Sequence, residues 1–151
     1  VDTLDLKNKF AHAVALLFRQ TYMKSWTTFF SDMLSLIAPL PQSTGKSNMK
    51  MVDLFLRILM SIDEEVVNTL ISRVSSKEEN TLNINIKDRM REQDVPTLAN
   101  VWYELLTEYK DRSLDFAEML LRIVGVYVGM SPRTHGQIRR ASNNIIFWTI
   151  N

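Results

Sequence analysis

Cysteine is absent from all 151 residues, which removes disulfides and thiolate-held metals as sources of stability and is compatible with a reducing compartment. Glycine and proline number only four each, as suits a chain built from helices. There are two histidines, and no acidic cluster has the spacing of metal ligands. No apolar run approaches the roughly 18–20 residues of a membrane span, so no membrane insertion is expected. Val1-Asp2-Thr3-Leu4-Asp5 has no initiator methionine and no signal-peptide pattern; the chain is expected to begin inside a larger protein. Charge of one sign is also lacking: 18 basic and 17 acidic groups leave a net +1. Residues 131–151 hold Arg133, Arg139 and Arg140 and no acid. The remainder therefore carries 15 basic and 17 acidic groups, so nucleic-acid binding there requires a local patch.

What is present is helical periodicity. Residues 4–20 read as a helix with Phe10, Ala13, Val14, Leu17 and Phe18 inward. His12, beside that stripe, reads as a packed or half-exposed residue. After a turn at Tyr22-Met23-Lys24, Ser25 is placed to cap a second helix with Trp26, Phe29, Phe30, Met33, Leu34 and Ile37 inward, giving a hairpin over 4–38. Ala38 to Asn48 reads as a loop. Its Gly45-Lys46-Ser47 resembles the end of a phosphate-binding loop, but the position where that motif needs its first glycine is Leu40, and no strand precedes it.

Met49 to Met60 is strongly apolar, with an Asp53–Arg57 pair at i, i+4. Ser61-Ile62-Asp63-Glu64 fits a capping box that would start a short helix to Ile71, which makes Asp63, Glu64 and Glu65 helix-start charges. Residues 72–79 read as a loop. The next helix, about 79–93, has Leu82, Ile86, Met90 and Gln93 on one face, with Lys87 and Arg91 well round from it and Arg89 beside it. Pro96 ends or kinks that helix near Asp94. Asp94 to Tyr109 then places Leu98, Val101, Trp102, Leu105, Leu106 and Tyr109 on one face, with Trp102 as a core anchor. Ser113 is placed to cap a helix over 114–130 with core face Leu114, Ala117, Leu121, Val124 and Val128, widened by Phe116, Leu120 and Ile123. Gly125 and Gly129 lie four apart, as close helix approach would need. Residues 131–151 have no useful period and form an aperiodic basic tail.

The alternation of apolar first arms with aromatic-bearing second arms predicts an all-α fold, a HEAT-like α-solenoid fragment of antiparallel helix hairpins, about two and a half repeats. A compact bundle is the alternative. Enzyme activity and cofactors are not expected. Residues 1–130 are expected to form the repeat region, with 131–151 outside it.

Four separated blocks carry a family resemblance. They are Ala13-Val14-Ala15-Leu16-Leu17-Phe18 with Tyr22-Met23-Lys24-Ser25-Trp26-Thr27-Thr28-Phe29-Phe30; Val52 to Asp63; Ile86 to Pro96; and Val101-Trp102-Tyr103-Glu104-Leu105-Leu106. In order and approximate spacing, residues from about 5 to 130 resemble the N-terminal region of the exportin-T family, importin-β-like HEAT solenoids that export tRNA from the nucleus. The resemblance implies a piece of an arch that carries tRNA with the GTP form of Ran. It also implies contact with nuclear pore proteins and shuttling between nucleus and cytoplasm. The alternatives are a generic HEAT-type interaction scaffold or a truncated, non-functional gene product. Phosphate contacts call for clustered cations, so Lys87 with Arg91 is the best candidate for RNA or partner contact, with Arg89 in the same run.

Overall fold

A computed structural model describes residues 3–38, 48–67 and 76–128. The elements are α1 (Thr3–Thr21), α2 (Phe29–Ile37), α3 (Met49–Ile62), a π segment (Asp63–Val67), α4 (Lys77–Arg89), a second π segment (Met90–Asp94), α5 (Val95–Tyr109) and α6 (Leu114–Val128). Among the described residues there is no strand, and the fold class is all-α and HEAT-like, as expected. The chain divides into two compact units, Val1–Asp88 and Arg89–Asn151. The reading of Ala38–Asn48 as a loop, the stretch to Ile71 and the 131–151 tail fall wholly or mainly outside the described residues.

In the first unit α1 packs chiefly on α3. It does so through Ala11, Ala15 and Phe18, with Tyr22 just beyond its end, all fully buried. The expected inward face of α1 is corrected here: Phe10 and Leu17 remain about half open, at 52% and 50%. Alanine is weakly hydrophobic by size but leaves room for a neighbouring helix, and the buried stripe of α1 is the one with the small residues, while Val52, Phe55, Leu56 and Leu59 are buried on α3. At the C-terminal end of α1 a ring cluster closes the core. Phe18 lies 4.6 Å from Tyr22, 4.8 Å from Phe29 and 5.5 Å from Phe30 between centroids. Tilted and edge-on geometries of this kind add to area burial.

The second helix starts later than expected. Ser25 caps nothing; residues 22–28 form turns in which the Thr21 carbonyl accepts from the N–H groups of Lys24, Ser25 and Trp26. α2 begins at Phe29, and its first turn is fastened by Asp32, whose Oδ2 accepts from Trp26 Nε1 at 2.7 Å and from Thr28 Oγ1 at 3.0 Å. α3 is capped by Asn48, whose side chain accepts from the Lys50 N–H at 3.1 Å.

The capping box at Ser61 is also corrected. Ser61 lies inside α3, which runs on through Ile62 into the π segment, so Asp63, Glu64 and Glu65 follow a helix instead of starting one. The same S-x-x-E pattern is used at Ser76. There the Glu79 N–H donates to Ser76 Oγ and the Ser76 N–H donates to Glu79 Oε2, both at 3.2 Å. α4 accordingly starts at Lys77, inside the segment read as a loop. It buries Asn83 and Ile86, while Leu82 is only half-buried.

In the second unit the π segment explains how Pro96 is tolerated. Proline lacks an N–H, and in an uninterrupted α-helix its ring would strike the carbonyl of Glu92. Here the Val95 N–H donates to the carbonyl of Met90, five residues back. The wider turn lets Pro96 sit in the first turn of α5. Gln93, expected inward, is exposed, because the extra residue in the turn shifts the helical register. α5 buries Val95, Leu98, Trp102, Leu105, Leu106 and Tyr109. These pack on α6, which buries Ala117, Leu120, Ile123, Val124 and Tyr127 and leaves Leu114 65% exposed. Ser113 Oγ accepts from the Phe116 N–H at 3.4 Å, as a cap should. Among the described residues a Cβ at Gly125 would meet nothing within 4 Å, and Gly129 lies outside them.

Candidate partner-binding surfaces

Three features of the described residues could meet a partner. The first is a polar seam on the first unit. Asp53 is buried, and its carboxylate receives Lys7 Nζ at 3.1 Å and Arg57 Nε at 3.1 and 3.3 Å. Arg57 Nη1 also donates to Asn8 Oδ1 at 2.9 Å, so the expected Asp53–Arg57 pair ties α3 to α1. Further along α1, Arg19 Nε donates to Asn83 Oδ1 at 3.1 Å and Nη2 stands 4.0 Å from Glu79 Oε1, which fastens α4. These groups satisfy one another, so the seam is structural.

His12 lies beside the seam, 3.8 Å from Glu65 and about half exposed, matching its reading as a half-exposed residue. Nearby, Asp63 Oδ1 is buried without a hydrogen-bond partner. Burial, and secondarily the adjacent Glu64, raise its carboxyl above the usual 3.8. No group of three His, Cys, Asp or Glu side chains among the described residues could hold a metal ion.

The second feature is the basic set. Lys87 lies on α4 in the first unit; Arg89 ends α4 and Arg91 lies in the π segment, both in the second unit. All three are half-buried, and the guanidinium Nε atoms of Arg89 and Arg91 are buried.

The third feature was missed from the sequence. A cavity of about 240 Å³ opens between the first three helices. Its walls are Phe10 and Val14 of α1; Met33, Leu36 and Ile37 of α2; Met51, Leu54, Phe55 and Ile58 of α3; and Trp26 from the turn. Leu36 and Phe10 are each 52% exposed on its rim. The available signal was that α1 has two apolar stripes, one at Ala11, Ala15 and Phe18 and another at Leu6, Phe10, Ala13 and Leu17.

Among the described residues the chain is helical with no strand, and its apolar helix faces are only partly covered, as in an α-helical repeat protein. The family described as Exportin 1-like protein matches residues 5–137, and the chain belongs to it. It is 35% identical over 127 residues to Exportin-T of Aspergillus clavatus, covering 84% of this chain and 12% of that protein. To Exportin-T of Dictyostelium discoideum it is 41% identical over 124 residues, 82% of this chain and 10% of the relative. To Exportin-T of Homo sapiens it is 40% identical over 123 residues, 82% of this chain and 12% of the relative. The chain thus spans 10–12% of the length of these relatives. No solved structure matches it.

Proposed function

We propose that this chain is a segment of a nuclear export receptor that carries tRNA from nucleus to cytoplasm together with Ran in its GTP form. The observation that carries the reading is the 35–41% identity to proteins named Exportin-T from a fungus, an amoeba and a human. The four sequence blocks resembling the exportin-T family support the same assignment. Lys87, Arg89 and Arg91 are the residues proposed to meet RNA phosphates or a protein partner. Nuclear pore proteins are further partners, and the protein shuttles between nucleus and cytoplasm.

The test is binding of labelled tRNA by the parent protein that contains this segment, with Ran loaded with GTP or with GDP. A ternary complex that forms with GTP and is lost with GDP is the expected result. Binding that ignores the nucleotide, or none to either partner, overturns the reading. The open apolar cavity favours a second reading, a HEAT-type scaffold for another protein. Partners recovered without dependence on Ran would support that one.

A further inference from the structure

α4 is held unlike the other helices of the first unit. Among the described residues the broad helix contacts of that unit join α1, α2, α3 and the first π segment, and α4 is not one of them. It buries one large apolar side chain completely, Ile86, whereas Leu82 is half-buried and Ile84 is 54% exposed. One apolar contact leaves a helix free to turn about its own axis, because the hydrophobic effect has no direction. The orientation of α4 therefore comes from its polar contacts.

Arg19 of α1 supplies them. Its Nε donates to Asn83 Oδ1 at 3.1 Å, and its Nη2 stands 4.0 Å from Glu79 Oε1. A guanidinium is a rigid planar fork, so two partners fix both the position and the rotation of the helix that carries them. Glu79, Asn83 and Lys87 stand four residues apart in one row along α4. Arg19 takes the first two members of the row, and Lys87 is the third. Lys87 makes no ion pair or hydrogen bond among the described residues, whereas Arg89 and Arg91 each have an interaction of their own. Of the basic set, Lys87 is thus the cation left for a partner.

We propose that Arg19 is a positioning residue for the partner site: it fixes α4 so that Lys87 faces a phosphate of the bound RNA. This role rests on the tRNA reading above, and it belongs to a residue outside the basic set. Arg19 does not meet the RNA itself, since its side chain is only 15% exposed. Asn83 is buried and uncharged, so it too acts only through the placing of α4. The two depend on each other, because removing the guanidinium leaves the Asn83 carbonyl buried without its donor.

Binding of tRNA by the parent protein with Ran in its GTP form, titrated at several salt concentrations, tests the role. Lys87→Gln should lower the slope of log affinity against log salt by about 0.7–0.9, the share of one phosphate contact. Arg19→Met and Asn83→Leu should each lower it by the same amount, although Asn83→Leu removes no charge. Combining Asn83→Leu with Lys87→Gln should lower the slope no further. Damage to the fold alone would reduce the fraction of protein that binds and leave the slope where it was. In the Arg19→Met and Asn83→Leu proteins, amide hydrogen exchange should quicken over residues 77–88 and stay unchanged in α3. A slope unmoved by Lys87→Gln, or moved by it and not by Asn83→Leu, overturns the positioning role and spares the tRNA reading. Exchange in α4 that neither Arg19→Met nor Asn83→Leu quickens overturns it as well. A parent protein that binds no tRNA with Ran-GTP overturns the tRNA reading and this role together.

Discussion

Trp102 of α5 and Tyr127 of α6 meet with ring centroids 5.5 Å apart and planes tilted by 49°. Trp102 is 1% exposed and Tyr127 fully buried. The pair forms the aromatic centre of the second unit. Trp102 is therefore a packing anchor, as its place in the helical stripe implied, and its ring is closed to stacking on a base.

Truncating that anchor should be costly. Trp102→Ala removes the largest fully buried side chain among the described residues and should destabilise the second unit by about 3–5 kcal/mol. Trp102→Phe should cost only about 1–2 kcal/mol, because the indole Nε1 is buried without a hydrogen-bond partner and its removal breaks no bond. Urea unfolding of both variants checks the ratio; equal losses would mean that the indole N–H is bonded.

The carboxylate of Asp53 gives a second prediction. Arg57→Ala removes a forked contact from a buried acid that keeps Lys7 as a partner, and should cost about 2 kcal/mol. Lys7→Ala should cost less than about 1 kcal/mol, because the Lys7 side chain is 50% exposed and screened by solvent. A double-mutant cycle with Asp53→Ala would measure both couplings, and only the Arg57 coupling should persist in high salt.

Asp63 predicts a pH dependence of defined sign. Its carboxyl is raised in the folded state by burial first and by Glu64 second. A raised carboxylate penalises folding above its folded pKa, and the penalty fades as pH falls toward the unfolded value of 3.8. Asp63→Asn should therefore be more stable than the wild type near neutral pH, by less than about 1 kcal/mol because Asp63 is only partly buried and solvent screens it. Thermal melts from pH 7 down to below 4 should show that advantage vanish. An advantage that grew toward acid would contradict this assignment.

The basic set makes a prediction about salt. If Lys87, Arg89 and Arg91 contact tRNA phosphates, each neutralisation to glutamine should weaken binding and lower the slope of log affinity against log salt by about 0.7–0.9. Titrations at several ionic strengths would read this directly. An unchanged slope for all three would remove them from the interface.

Helix identity in this chain is local information. The Leu98-to-Tyr109 stripe, the Ser113 cap and the Asp53–Arg57 spacing each describe interactions within three or four residues, and all of them reappear in the fold. Capping was legible only up to a choice between copies of one pattern. Ser61 and Ser76 are each followed by glutamate three residues on. At Ser61 an apolar helix already runs through the site, whereas at Ser76 a new helix begins. The candidate basic residues were likewise legible as a cluster, but their half-burial was not.

The amino-acid order by itself determined that the chain is helical, that Trp102 is buried and that no thiol or histidine cluster is available for chemistry. The tertiary structure decided which side of α1 faces inward. That helix offers two apolar stripes, and the larger side chains of one, Phe10 and Leu17, outweigh the alanines of the other on any hydrophobic scale. Contact with α3 nevertheless falls on Ala11, Ala15 and Phe18, because small residues leave room for a second helix and its side chains. Such shape complementarity exists only once both surfaces are present. The same choice left Leu6, Phe10, Ala13 and Leu17 exposed.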